Sequence, residues 1–158
     1  MAEHAGDEES AAKDADLDAA VDGAIVSKYR NTGQTCVCAN RILVQASVYD
    51  EFARRLTGAV AKLKVGSGLE EGVTQGPLID AAGLAKVEDH IADATAQGAR
   101  VATGGRRHAL GGTFFEPTIV TGVTPDMLGE IQSLLGVVGL DGVVRVPQLR
   151  RQPAEIGR

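Results

Sequence analysis

The sequence has very few aromatic, cysteine and histidine residues. Its 158 residues include no tryptophan, and aromatic side chains make up only 3% of the chain, so few large side chains are available to anchor a core. The two cysteines are separated by one residue, which excludes the disulfide framework of a small secreted domain. The three histidines, His4, His90 and His108, are scattered along the chain, so no zinc-site spacing is present.

The chain also lacks an excess of positive charge and any long apolar run. Its formal net charge is −5, and seven of its 21 acidic residues precede Ala19. That balance argues against a nucleic-acid-binding surface. No apolar run approaches the length of a membrane span, and the start of the sequence has neither the basic nor the apolar region of a signal peptide. The sequence therefore predicts no nucleic-acid partner, no membrane partner and a cytoplasmic location.

Turn residues and apolar periodicities divide the chain into helices and strands. Residues 1–13 are acidic, small and polar, which predicts a disordered head. A helical stripe begins after Asp16, a candidate N-cap, and is expected to end near Arg30 because Gly33 tolerates the left-handed conformation. Further elements are predicted as a strand over 41–45, a helix from a Ser47–Asp50 capping box to Gly66, a helix from Asp80 to Gly98, and strands over 100–103 and 114–120. This alternation predicts an α/β fold.

Cys36 is the strongest candidate for chemistry. It follows a glycine-bearing turn between a predicted helix and a predicted strand, and such a turn can present a sulfur atom to solvent. Gly33 supplies the permissive backbone and Arg30 supplies nearby positive charge. The alternative is that Cys36 and Cys38 are small buried hydrophobic residues, which spacing alone would favour.

The sequence around Cys36 resembles the active-site signature of the aldehyde dehydrogenase superfamily, and most resembles its succinate-semialdehyde dehydrogenase branch. Residues 29–40 read Tyr-Arg-Asn-Thr-Gly-Gln-Thr-Cys-Val-Cys-Ala-Asn, where the signature has an aromatic residue, three residues, and then Gly-Gln-Xaa-Cys. The resemblance continues from about Asp14 to Met127 through further landmarks in the family's order, at residues 41–45, 49–52, 76–80, 98–101 and 114–119.

The resemblance implies an oxidoreductase that converts an aldehyde to an acid with NAD or NADP. Cys36 would attack the carbonyl carbon to give a thiohemiacetal and then a thioester, and its backbone N–H would serve as one oxyanion donor. Arg30 would bind the distal carboxylate of the substrate, for which succinate semialdehyde is the expected case; the alternative is a solvated arginine at a helix end. Cys38 is either a redox partner of Cys36 or a packing residue.

Parts of the family pattern are not found in the sequence. No residue matches the family's general base or its upstream asparagine. No strand, glycine turn and helix form a dinucleotide site, because Gly66-Ser67-Gly68 follows a helix and is interpreted as a loop. The cofactor-binding residues are therefore unknown, and no metal site is predicted.

We expect a partial catalytic domain over 14–127 and a non-family tail over 128–158, the tail arising from a truncated or frameshifted reading frame. Such a fragment would have impaired turnover by itself, and homo-oligomers or a complementing subunit are the candidate partners. The alternatives are a non-catalytic remnant, a partner-binding fragment, or a chain that does not fold stably.

Overall fold

The structure is a computed structural model that describes residues 8–11, 16–124, 127 and 137–143; for the first and last of these ranges it describes the backbone only. The elements in chain order are β1 (Glu8–Ala11), α1 (Leu17–Tyr29), a short turn of 3-10 character (Arg30–Gly33), β2 (Arg41–Gln45), α2 (Tyr49–Val60), α3 (Ala81–Ala96), β3 (Arg100–Thr103), β4 (Thr118–Thr121) and β5 (Val137–Val143). The predicted α/β fold is confirmed.

The five strands form one sheet in the order β1-β2-β5-β4-β3. β3 is antiparallel to β4, and the other neighbours are parallel. Within the described ranges, no helix combines the length and the apolar composition that a membrane crossing requires.

Two strands of this sheet have no counterpart in the sequence-based prediction. β1 lies in the head that was expected to be disordered, and this expectation is wrong for Glu8–Ala11 because their backbone pairs with β2. β5 lies in the tail, to which no element was assigned, yet it occupies the centre of the sheet between β2 and β4. β1 has Ala11 as its one apolar residue, so backbone pairing with β2 places it. β5 contains Val137, Val138, Leu140 and Val143, a run typical of a strand in a parallel sheet, and the sequence-based prediction did not assign it. The rest of the predicted head and tail lies outside the described residues.

Helix α1 begins where the sequence predicts. The Asp16 carboxylate accepts hydrogen bonds from the backbone N–H groups of Asp18 (3.0 Å) and Ala19 (3.2 Å), which confirms the predicted N-cap. Helix α3 is capped in the same way by Asp80, which accepts from the Gly83 N–H at 2.7 Å. These side chains satisfy backbone donors that have no partner inside the helix.

The predicted boundaries of α2 are wrong at both ends. The helix follows Val48, which makes no side-chain cap, so the Ser47–Asp50 capping box does not form. It ends at Val60, well before Gly66. β4 is also shorter than the predicted strand, because residues 114–117 form only an isolated bridge, Arg107 with Phe115, before the regular pairing begins at Thr118.

The hydrophobic core lies on both faces of the sheet. Ile119 and Val120 are neighbours in β4, and because side chains alternate along a strand they enter different clusters. One cluster joins α1 and α2 to β2 and contains Val21, Ala24, Tyr29, Ile42, Val44, Phe52, Leu56, Val60 and Ile119. The other joins α3 to the opposite face and contains Leu78, Leu84, Val87, Ile91, Ala94, Ala99, Phe115, Val120, Val123 and Met127.

The core predicts a large difference between two leucine substitutions. Leu56 on α2 is fully buried, whereas Leu69 in the following loop is 98% exposed. We expect Leu56→Ala to lower the free energy of unfolding by about 2–5 kcal/mol, because it removes apolar contacts and leaves a cavity. Leu69→Ala is the matched control and should change it by less than about 0.5 kcal/mol. Urea denaturation measures both, and equal effects would contradict the packing described here.

Candidate active site

Cys36 lies at an exposed turn between α1 and β2. The Cys38 N–H donates to the Thr35 carbonyl at 3.2 Å, which makes Cys36 and Val37 the two central residues of that turn. The Val37 side chain is 71% exposed. The structure therefore presents the Cys36 thiol at the surface of the described part of the chain, and the alternative of a buried hydrophobic residue does not hold for it.

Cys38 has the opposite environment. Its side chain is only 2% exposed, and its Sγ lies 2.6 Å from the Thr35 hydroxyl oxygen and donates to the Arg30 carbonyl at 3.7 Å. Both cysteines are free thiols. The burial of Cys38 fits the packing alternative, because its sulfur ties the turn to the end of α1. Its role as a redox partner stays a prediction.

The chain leaves α1 through three successive residues in the left-handed region. Gly33 has φ 73°, as predicted, but Asn31 (φ 48°) and Thr32 (φ 59°) are left-handed too. A β-branched residue such as threonine is strained in this conformation. The Thr32 hydroxyl accepts from the Gly76 N–H at 2.9 Å and lies 3.5 Å from the Gly76 carbonyl. Contact with this distant segment holds the strained residue in place.

Gln34 makes a second contact with the same segment. Its side-chain Nε2 donates to the Pro77 carbonyl at 3.1 Å, and its Oε1 accepts from the Ile79 N–H at 2.9 Å. Gly76, Pro77 and Ile79 thus all bond to the loop that carries Cys36. We call residues 75–79 the bracing segment.

The buried residues Gln75 and Tyr29 connect the bracing segment to the sheet. The Gln75 Nε2 donates to the Tyr29 carbonyl at 3.0 Å and to the Thr74 carbonyl at 2.8 Å. The Tyr29 hydroxyl donates to the Thr118 carbonyl of β4 at 2.9 Å. Burial raises the pKa of the Tyr29 phenol well above its usual value. The last residue of α1 is therefore fixed to both the sheet and the bracing segment.

Lys28 fixes the other end of the segment between α1 and β2, residues 30–40, which we call the cysteine loop. Its side chain is fully buried, and its ammonium group donates to the Asn40 side-chain oxygen. Asn40 directly precedes β2. A charged group buried in a protein needs hydrogen bonds to compensate for its lost hydration, and Asn40 supplies one. The same contact joins the end of α1 to the start of β2.

Arg30, the predicted substrate-binding residue, lies directly after α1 and its side chain is exposed. Its backbone carbonyl accepts from the buried Cys38 thiol, so Arg30 belongs to the same loop as Cys36. No contact of the guanidinium assigns it another role within the described residues. Its binding of a substrate carboxylate stays a prediction.

The sequence did not reveal the contacts that brace this loop. Residues 76–80 were recognised as a family landmark, but no local pattern connects Gly76 with Thr32 or Pro77 with Gln34, which lie more than 40 positions apart. Lys28 lies on the same helical stripe of α1 as Val21 and Ala24 and is buried with them. Its partner Asn40 could not be identified from spacing.

The described residues do not form a site for a dinucleotide or a metal. β2 is joined to α2 by Ala46, Ser47 and Val48, with no glycine at which a pyrophosphate could approach the backbone. The glycines at 66 and 68 lie in a loop after α2, as predicted. In the part of the chain that is described, no group of three histidine, cysteine or acidic side chains could hold a metal ion.

Three comparisons with known proteins agree with one another. The profile of the aldehyde dehydrogenase family matches residues 7–130. The chain is 67% identical over 115 residues to a glutarate-semialdehyde dehydrogenase from Pseudomonas aeruginosa, and 60% identical over 114 residues to a 3-sulfolactaldehyde dehydrogenase from Pseudomonas putida. These matches cover 73% and 72% of this chain but only 24% of each relative.

A solved structure shares the fold. The crystal structure of succinate-semialdehyde dehydrogenase from Burkholderia pseudomallei superposes with a TM-score of 0.84 at 55% sequence identity. The match covers 87% of this chain and 29% of the solved chain. The described chain thus corresponds in fold to a part of a larger enzyme structure.

The Tyr29 anchor predicts a specific loss of stability at alkaline pH. Above about pH 10 the unfolded chain loses the phenol proton, which the folded chain keeps because its pKa is raised. The free energy of unfolding should therefore fall as pH rises from 9 to 11, and this residue should account for about 1 kcal/mol of the fall.

Tyr29→Phe should remove that part of the pH dependence and lower stability at neutral pH by about 1 kcal/mol, through loss of the buried hydrogen bond. The control is Tyr49→Phe, because the Tyr49 hydroxyl accepts from the Gly122 N–H at an exposed position, at 3.2 Å. Urea titrations at pH 9, 10 and 11 measure both. An unchanged pH dependence in Tyr29→Phe would refute the anchor.

Proposed function

The chain belongs to the aldehyde dehydrogenase family, and on this premise we propose that it carries the nucleophile for oxidising an aldehyde to a carboxylic acid. The observation that carries the proposal is the exposed Cys36 on a braced turn, while the neighbouring Cys38 is buried. A thiol must be accessible to attack a substrate, and it must be held in one orientation for the attack to be efficient. The loop meets both conditions for Cys36, whereas Cys38 fails the first because its thiol is buried.

The proposed step begins with the Cys36 thiolate. Its sulfur attacks the aldehyde carbon, a carbon–sulfur bond forms, and the π electron pair of the carbonyl moves to oxygen. Protonation of that oxygen gives a thiohemiacetal. By family resemblance the Cys36 backbone N–H is one donor to the developing oxyanion.

NAD or NADP is the proposed cofactor on the same family grounds, and a cysteine thioester is the proposed product of the oxidation. The described residues fit no dinucleotide, so we derive no step through the cofactor. They also include no residue to which the family's general base can be assigned. We propose that these residues by themselves bind an aldehyde covalently but turn it over poorly, since positioning by other groups supplies much of an enzyme's rate.

We propose that the substrate is an aldehyde with a distal anionic group, with succinate semialdehyde as the first candidate. The names of the relatives reported above are those of enzymes for glutarate semialdehyde, succinate semialdehyde and 3-sulfolactaldehyde. Each of these aldehydes carries a carboxylate or a sulfonate. The exposed guanidinium of Arg30 offers a two-pronged donor for such a group on the same loop as Cys36.

A partner-binding role without catalysis is the second candidate function. The side chains of Val37 and Ile79, beside the cysteine loop, are 71% and 80% exposed, and exposed apolar residues of this kind support contact with another polypeptide. That polypeptide would be a second copy or a complementing subunit. A cytoplasmic location also stays a proposal.

The nucleophile is tested by the rate of alkylation with iodoacetamide at pH 7. We expect Cys36 to react at least about tenfold faster in the folded chain than in urea, because a cysteine that serves as the nucleophile must be more reactive in its folded surroundings than in an unfolded chain. Cys38→Ala isolates Cys36, and Cys36→Ala isolates the buried thiol, which should react more slowly when folded than unfolded. Equal rates for Cys36 in the folded and unfolded chains would contradict the proposal.

The substrate class is tested by protection of Cys36 against the same reagent. Succinate semialdehyde should slow alkylation, and Arg30→Ala should raise the concentration needed by about tenfold, the loss expected for one charged hydrogen-bonding partner. Butanal, which has no anionic group, should protect both forms equally. Arg54→Ala is the matched control, since Arg54 is also exposed but pairs with Glu51 on α2. Equal protection of the native chain and Arg30→Ala by succinate semialdehyde would refute the role of Arg30.

A further inference from the structure

Gln34 lies between the two irregular parts of the cysteine loop. The left-handed residues 31–33 precede it, and the turn from Thr35 to Cys38 follows it. The two hydrogen bonds of its side-chain amide are made to Pro77 and Ile79 in the bracing segment, more than 40 residues away along the chain. Gln34 thus connects the cysteine loop to a distant part of the chain.

The two bonds of Gln34 match the chemistry of an amide side chain. Its NH₂ group donates to the Pro77 carbonyl, and its oxygen accepts from the Ile79 N–H. No charged side chain supplies both a donor and an acceptor at this spacing, because lysine and arginine only donate and an ionised carboxylate only accepts. The position therefore requires an amide or a group that imitates one.

The bracing segment alternates its backbone bonds between two neighbours. Gly76, Pro77 and Ile79 bond to the cysteine loop, whereas the Leu78 N–H donates to the Thr113 carbonyl at 3.0 Å and the Leu78 carbonyl accepts from the Thr113 hydroxyl at 2.8 Å. The Leu78 side chain is buried, and that of Ile79 is 80% exposed. The bracing segment is thus held in place by the bonds of Leu78 to Thr113. The bonds of Gln34 to Pro77 and Ile79 in turn hold the cysteine loop against this segment.

We propose that Gln34 is a positioning residue for Cys36: its two backbone contacts hold the turn that presents the thiol in a single orientation. The inference rests on the proposed function, because the positioned atom is the sulfur of the proposed nucleophile. The left-handed Thr32 would favour another conformation, and the Cys36 side chain is exposed and has no packing of its own. Without the Gln34 contacts, only the contacts of Cys38 and Thr32 hold the turn, and the thiol loses part of its fixed geometry.

The test uses the full chain and two readouts. The first is amide hydrogen exchange at Ile79, whose N–H is protected by Gln34 despite the exposure of its side chain. The second is the alkylation rate of Cys36 in a Cys38→Ala background. Gln34→Met has a similar length and no hydrogen-bonding group, and we expect at least about tenfold faster exchange at Ile79, together with a Cys36 rate shifted toward that of the unfolded chain.

Two further variants control the experiment. Gln97→Met removes an exposed glutamine at the end of α3 whose side-chain amide donates to Asp93 on the same helix, and it should leave both readouts unchanged. Gln34→Glu should keep Ile79 protected but lose the donor to the Pro77 carbonyl. Protonation of the introduced carboxyl restores an O–H donor beside a C=O acceptor. Relative to the intrinsic rate at each pH, amide exchange at Gly76 and Leu78 should therefore slow at low pH in Gln34→Glu and not in Gln34→Met.

Amides of α3 serve as an internal reference for global unfolding. If the amides of α3 also exchange faster in Gln34→Met, that variant is globally destabilised. The positioning role is then judged from Gln34→Glu, which loses only the bond to the Pro77 carbonyl. Protection of Ile79 that survives Gln34→Met, or protection that is lost while the Cys36 rate stays native, would overturn the positioning role. Failure of the proposed function is read separately, from a Cys36 rate in the unsubstituted chain that equals the unfolded rate.

Discussion

The strained exit of α1 is the constraint on which the candidate site depends. Three successive residues with positive φ reverse the chain after Tyr29, and one of them is a threonine. Such a conformation persists only when surrounding contacts determine it. The bracing segment provides them through Gly76 for Thr32, through Pro77 and Ile79 for Gln34, and through Gln75 for the carbonyl of Tyr29.

The sheet supplies the rigid reference for this arrangement. β4 accepts the Tyr29 hydroxyl at Thr118 and places Ile119 and Val120 in the clusters on its two faces. A displacement of β4 would therefore disturb the core and the cysteine loop together. The loop carries an exposed thiol, and the elements that hold it are buried, a division of roles common in active sites built on rigid scaffolds.

The division between Cys36 and Cys38 follows from the same geometry. Cys36 and Val37 are the central residues of the turn and both are exposed, whereas Cys38 closes the turn and is buried. Cys38 closes the turn and packs its sulfur against Thr35 and the Arg30 carbonyl. Two cysteines one residue apart thus have different environments, so the same side-chain chemistry gives one candidate nucleophile and one structural residue.

Features that depend on local chemistry could be predicted from the sequence. Asp16 and Asp80 cap their helices because a short carboxylate reaches the nearest unpaired N–H groups, and Gly33 is left-handed because it has no Cβ. The motif around Cys36 identified the family for the same reason, since its residues are consecutive. Local patterning also gave α1, α3, β2 and β3 at or near their observed bounds.

Which distant groups meet depends on the path of the folded chain. β1 is a strand because its backbone pairs with β2, and its residues have no apolar pattern that would reveal it. β5 has an apolar run, but its place between β2 and β4 follows only from the pairing. The Ser47 cap does not form, since the chain enters α2 through Val48 instead. The partners of Thr32, Gln34 and Lys28 lie in segments that the folded chain brings next to the cysteine loop. Hydrogen bonds across 12 to 46 residues are set by that path and not by spacing along the sequence.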